Sequence, residues 1–581
     1  MPNDYTVSLP YPNPSLGQQM GALEEGMGNA DASSSSTFGI QKHSVSGPRQ
    51  VVLVLSLLTG LLFSSLDTSI VSTSLVTISQ DLNDFVNAPW IVLAYLLTYM
   101  GFAVCVSKLS DIYGRRNMLV VSWVFFVGFS QGCGSANSMT ALIICRAFQG
   151  MGASGLYSLT QIGLVEVGPS HRPSLIGAMV GATLAVAFVL GPIIGGAISQ
   201  ASDWRWLFNM NIPFGLVTIL CITNFWPQED AEHFFSWGAF RRIDFIGSAT
   251  LLSSSGFLVF AIQQAGSQTF EWKSPEIISA LAISGLSWII FVWWEVFLEM
   301  KAYRRIEPIF PIRLMLRRVY SAGLLVTLLT GFPYIALSIV IPERFQIVNQ
   351  QGVLMAGLHI LPLLGACAIG SFLGGALSSK KNNTSFTLFG AACLQLLGVG
   401  LMSMLTEPDA NVQAQYGFQV IFGLGVGLSF SAATIMTSIL AAERSELASA
   451  QGAVSQARVL GGCIGLSICT VIFNAHVNNY LGSILTPKQL EDLHRSPLTG
   501  LHFPPDLQEH IREVYAGAFA EEIKIMMLIC AAMVIVALFT LERHPAPLER
   551  LTAPVKVEIS SRRGSDSGTE LTGMTRVAPS S

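Results

Sequence analysis

Two ionisable residues stand inside apolar runs, where a charge is costly: Asp67, in Leu66-Asp67-Thr68-Ser69-Ile70-Val71, and Arg146, in Arg146-Ala147-Phe148-Gln149-Gly150-Met151-Gly152-Ala153. Within lipid such groups are tolerated when they pair or face a polar interior. A carboxyl and a guanidinium at similar depth can form an ion pair, and protonating the acid breaks it. That is the chemistry of a proton-linked switch. Plainer roles stay open, with Asp67 as a helix-bending hydrogen bonder and Arg146 as a structural group bonding backbone carbonyls. Arg458, ahead of Gly461-Gly462, and Gln149, Gln263 and His359 are weaker candidates to line a cavity. His359 stands alone among apolar neighbours, which favours a structural hydrogen bond. Glu343 and Arg344 are expected at an outer rim, where charge is cheap.

A second constellation reads Lys108-Leu109-Ser110-Asp111-Ile112-Tyr113-Gly114-Arg115-Arg116. Gly114 permits a tight turn. Asp111 can face a helix N-terminus, and the arginines can pair with an acid on a neighbouring helix. Glu166, which ends a later apolar run, is the partner expected for Arg115. A third cluster, Gly191-Pro192-Ile193-Ile194-Gly195-Gly196, combines a helix-bending proline with small residues that let another helix approach.

Other chemistries lack their signatures. There is no Walker A loop, no HExxH and no GxSxG. The nine cysteines lie in apolar runs without a CxxC spacing, so they read as small packing residues. No cofactor, no metal and no enzymatic reaction is expected. The net charge of −4 gives no reason to expect nucleic acid.

The elements that must position these residues are membrane helices. The chain is 51% hydrophobic and 12% charged, against about 25% charged in soluble domains. Runs of about 20 apolar residues, enough to cross the hydrocarbon, occur near 51–74, 88–107, 117–136, 140–165, 174–198, 207–226, 244–264, 277–298, 320–342, 353–378, 385–405, 415–440, 452–474 and 522–541. Their continuity, without period-2 alternation, excludes a barrel. With both termini in the cytosol, about 23 of the 32 basic residues fall on the inner side, as the positive-inside rule requires. Residues 1–48 and 542–581 read as polar cytosolic tails, 49–226 and 319–541 as six-helix units, and 227–318 as an inserted helix pair with a cytosolic linker. The segment 475–521 is expected as the longest outer loop, with a short amphipathic stretch near 506–516.

Taken together, the motifs resemble the major facilitator superfamily. Leu109, Asp111, Gly114, Arg115 and Arg116 match its G-x-L-a-D-r-x-G-r-k loop, although Ser107 and Ile112 depart from it. The run from Arg146 to Ala153 looks like R-x-x-Q-G-x-G-A, which the family uses in proton coupling. Gly191-Pro192 and Gly195-Gly196 look like the core of its antiporter motif, with Ala187 where a glycine is usual. Trp204-Arg205-Trp206-Leu207-Phe208-Asn209-Met210-Asn211-Ile212-Pro213-Phe214-Gly215 and the segment around Asp67 resemble the fourteen-span drug:proton antiporters. The resemblance implies an all-α membrane protein, two six-helix bundles plus two inserted helices. It implies proton-driven export of amphiphilic drugs, toxins or secondary metabolites from a monomer in the plasma membrane. Asp67 and Arg146 would couple the proton, and the loop around Asp111 would latch the halves. Uptake or vacuolar loading of a defined nutrient is the alternative, as is a non-transporting sensor. A cationic nutrient would want several cavity acids, and only Asp67 stands out.

Overall fold

The computed structural model describes residues 47–168, 173–227, 244–300, 309–310, 312–378, 382–404, 412–441, 444–495, 497 and 503–542. The two polar tails, the centre of the linker and the loop 379–381, where a second copy of the Asp111 motif would fall, lie outside them. Among the described residues there are helices and no strands.

The first six long helices are α1 (Pro48–Asp81), α2 (Pro89–Tyr113), α3 (Arg115–Gly134), α4 (Met139–Val167), α5 (Pro173–Ala201) and α6 (Trp206–Phe225). An inserted pair follows, α7 (Phe245–Gly266) and α8 (Pro275–Met300). The second six are α9 (Arg318–Ile347), α10 (Val353–Leu377), α11 (Thr384–Met402), α12 (Val412–Leu440), α13 (Arg444–Leu481) and α14 (Pro505–Leu538). Twelve of these are long and apolar enough to cross a membrane. The other two, α4 and α14, have the length, at 29 and 34 residues. Arg146, Gln149 and several glycines dilute α4, while Glu521, Glu522 and Lys524 charge the apolar run of α14.

Several helices outrun the apolar segments that announce them. The hydropathy of α1 fades near residue 74, yet the helix continues to Asp81. The expected outer loop at 475–521 is largely helical: α13 runs to Leu481, a short helix spans Pro487–Arg495, and the amphipathic stretch near 506–516 is the first part of α14. Hydropathy reports where lipid begins, whereas a helix persists while its backbone bonds and side-chain contacts continue.

Two hydrophobic cores organise the molecule. One joins α1–α6 through residues such as Leu57, Trp123, Phe126, Leu156 and Phe208. The other joins α9–α14 through Tyr320, Leu337, Phe345, Phe422 and Phe519. The inserted α7 packs on α2 and α13, and α8 packs on α7. On α8, Leu286, Ile289 and Trp293 are more than half exposed. Such an apolar outer face is matched to lipid.

The two bundles meet along a seam. The Gln346 amide on α9 donates to the Thr73 carbonyl on α1 at 3.0 Å. The Gln456 amide on α13 donates to the Met100 carbonyl on α2 at 3.2 Å. At Gly196 of α5 a Cβ would come within 2.5 Å of the Leu354 Cα on α10.

Candidate functional site

Asp67 and Arg146 are in direct contact deep inside the first bundle, each 1% exposed. Both belong to a closed network. Arg146 Nη1 donates to Asp67 Oδ2 and, at 2.8 Å, to Gln149 Oε1. Its Nε donates to the Ile91 carbonyl at 3.0 Å. Gln149 Nε2 donates to Asp67 Oδ1 at 3.0 Å and to Ser130 Oγ at 2.8 Å. Asn211 Nδ2 donates to the same two oxygens, at 3.4 and 3.1 Å. The guanidinium carbon lies 4.1 Å from the centre of the Tyr95 ring and 5.6 Å from that of Phe208.

Local sequence explains this assembly. Arg146 and Gln149 are three residues apart on α4, so they share a face. Gly150 lets α4 lie against the Tyr95 backbone, where a Cβ would stand 2.4 Å from the Tyr95 carbonyl. The Trp204–Gly215 segment folds over the end of the bundle. Trp204 Nε1 and Arg205 Nη1 both donate to Asp81 at the end of α1, at 3.0 and 3.1 Å. Phe208 and Asn211 are thereby delivered to the ion pair.

Chemically, the site holds a charge pair away from bulk solvent. The carboxylate accepts three hydrogen bonds and faces one cation. Removing one partner from such a pair costs about 3–5 kcal/mol, because it strands the other. Protonating Asp67 discharges the pair and weakens its bonds to Arg146, Gln149 and Asn211 together. Arg146 would keep the Ile91 carbonyl, Gln149 and the Tyr95 face. A single proton can thus loosen α1 from α4 and α6.

The other predicted residues are placed as follows. Gly114 adopts a φ of +86° between α2 and α3, a conformation that favours glycine. Arg115 Nε donates to Glu166 Oε1 at 3.1 Å, tying α3 to the end of α4. Its Nη1 also reaches Ser107 O, at 3.3 Å, and Ser110. Arg116 caps α6 through the Thr223 carbonyl at 2.6 Å. The Asp111 side chain lies outside the described residues. Gly191 and Gly195 press α5 against α1 immediately past Asp67, and added Cβ atoms would stand 1.9 Å from Ser69 Oγ and 2.6 Å from the Ile70 carbonyl. Across the seam Gly357 approaches the Pro192 carbonyl just as closely, at 2.6 Å for an added Cβ.

Gln149, expected along a cavity, is instead enclosed in the Asp67 network, because its helical register follows Arg146. His359 is buried between the Phe345 and Tyr416 rings and bonded to Gln351 and Tyr416. Gln263 is fully buried on α7, and its amide makes no hydrogen bond to a described residue. Arg344, expected at an outer rim, is buried, at 6% exposure, less than one turn from the end of α9 at Ile347. Arg458 lies on the seam, with Gly461 packed against the Leu328 carbonyl of α9. Sequence reading missed Tyr95, Ser130 and Asn211 as site residues. Asn211 had a signal, its place in the aromatic segment; Tyr95 and Ser130 had none, being ordinary members of apolar helices.

A membrane protein of two six-helix bundles, with a buried ion pair in one of them, has the architecture of a transporter and not of an enzyme. A profile of the Major Facilitator Superfamily matches residues 57–466, and the chain belongs to that superfamily. It is 37% identical to the MFS-type transporter FPY5 of Fusarium mangiferae over 528 residues, covering 89% of this chain and 87% of that one. The efflux pump aflT of Aspergillus parasiticus is 25% identical over 510 residues, 86% of this chain and 96% of the pump. The multidrug resistance protein 3 of Bacillus subtilis is 31% identical over 379 residues, 65% of this chain and 71% of that one. In fold, a bacterial homologue of the human lysosomal transporter Spinster superposes with a TM-score of 0.58 at 13% identity, over 85% of this chain and 97% of that one. The protein is a multi-span transporter of small molecules with efflux-pump relatives.

Proposed function

We propose that this protein exports small amphiphilic organic molecules in exchange for protons, by alternating access between its two bundles. The observation that carries the reading is the enclosed Asp67–Arg146 pair with its Gln149 and Asn211 donors. A purely structural role would be filled as well by packed apolar side chains. A carboxylate that can lose its charge in place gives the first bundle two states. Proton entry down the membrane potential and the pH gradient would supply the work. The glycine-lined contact of α5 with α1 and α10 transmits a shift of α1 to the seam. The turn at Gly114, with Arg115 and Glu166, holds the opposite end. The efflux-pump relatives support outward transport, and the basic inner loops support cytosolic termini; the membrane we propose is the plasma membrane, and the working unit a monomer.

Expression in a pump-deficient cell tests this. Wild type should lower accumulation of an amphiphilic compound panel, a protonophore should abolish the effect, and Asp67→Asn should mimic the protonophore. Extrusion that continues unchanged after the proton gradient collapses would overturn the coupling.

A further inference from the structure

Arg458 is the opposite of Arg146. It is half-buried on the seam, and its guanidinium makes no hydrogen bond or ion pair with any described residue. Its environment comes from both bundles. The guanidinium carbon sits 3.7 Å above the Phe430 ring of α12. Tyr99 of α2, Tyr157 of α4 and Tyr334 of α9 lie within electrostatic reach of it. These rings are ordered against one another: Tyr99 meets Tyr157 edge to face at 5.7 Å, and Tyr334 meets Phe430 likewise at 5.3 Å. Phe188 of α5 approaches Tyr334 at 6.5 Å.

An arginine at membrane depth normally finds an anion or backbone carbonyls. Here the protein supplies a π face on one side and, among the described residues, no acceptor for the buried Nε–H. The planar N–H edge of a guanidinium is shaped to donate two parallel hydrogen bonds to a carboxylate. The surrounding rings suit a flat, conjugated body on the same molecule. An inorganic anion would gain nothing from them, and a cation would be repelled.

We propose that Arg458 is the charge-reading residue of the cargo site, and that the preferred cargo is an aromatic or conjugated organic carboxylate. This rests on the export reading above and narrows its substrate class. The rings from α2 and α4 on one side, and from α9 and α12 on the other, would clasp the body of the cargo, so the site is complete only when the bundles meet around it.

The test uses two near-isosteres, 2-naphthoate and neutral 2-naphthamide, with the full-length protein in lipid nanodiscs and binding followed by calorimetry. Wild type should bind the acid about tenfold or more tighter than the amide, as a charge-assisted bidentate contact predicts. Arg458→Gln should bring the two to within about twofold, chiefly by weakening binding of the acid. Arg458→Lys should keep part of the preference, since the charge remains and the fork is lost. Equal binding of acid and amide by wild type, no binding of either, or an undiminished preference in Arg458→Gln would overturn the assignment. Transport in liposomes separates this from the export reading: a binding preference without gradient-driven flux sinks the export reading and leaves the assignment standing.

Discussion

The two bundles solve the problem of polarity in lipid in different ways. In the first, α1, α3, α4 and α6 converge on an ion pair whose donors and acceptors are satisfied within the bundle. In the second, α11 and α12 occupy the positions that α3 and α4 hold in the first, and carry Gln395 and Gln419. Both are fully buried, and neither amide makes a hydrogen bond to a described residue. A bond between hydroxyls joins Thr330 and Ser429, at 3.1 Å. The second bundle places one guanidinium, that of Arg458, on the seam. On the proposed reading, the charge that switches is enclosed in the first half, and the charge offered to a ligand faces it from the second. A transporter needs both, and keeping them apart lets each bundle specialise.

The sharpest way to break this comparison is Arg146→Ala. It strands Asp67 in an enclosed site and should destabilise the first bundle by about 3–5 kcal/mol, unless the acid takes a proton. A fall in thermal unfolding temperature in detergent, larger than that of Arg458→Gln, is the expected outcome. Equal stability of the two variants would erase the distinction between an enclosed charge and an offered one. Next in size is Gly195→Leu, whose Cβ would stand 2.6 Å from the Ile70 carbonyl, set against Gly365→Leu, where a Cβ meets nothing within 4 Å. Export should fall by about tenfold or more in the first, for a cost above about 1.4 kcal/mol, and hold near wild type in the second.

The smallest effect is expected in the second bundle. Replacing Gln395 and Gln419 together by leucine removes amides that make no hydrogen bond to a described residue. Each change should be neutral or stabilising, by about 1 kcal/mol at most. A marked loss of stability would mean that these amides carry a function the comparison denies them.

Much of the fold was legible because a bilayer imposes one length and one backbone solution, so apolar runs mark helices directly. Ends were less legible. Asp81 closes α1 by receiving Trp204 and Arg205, a tertiary contact invisible in local hydropathy. The site was legible in its charged members, since Asp67 and Arg146 are conspicuous among apolar residues. Their neutral partners were not: Ser130 resembles any serine in a helix, and Gln149 read as cavity-facing until its register beside Arg146 enclosed it. That Arg458 finds no acceptor among the described residues could not be read either, because a missing contact leaves no trace in a sequence.

The central claim is that Asp67 carries the response to the proton. Purified protein in liposomes, with an imposed pH gradient and an exported compound followed by fluorescence, tests it most directly. Wild type should drive the compound against its own gradient, while Asp67→Asn should exchange it only downhill and ignore the pH gradient. If Asp67→Asn still moved cargo uphill at the wild-type rate, the enclosed pair would be scaffolding and the coupling would lie elsewhere.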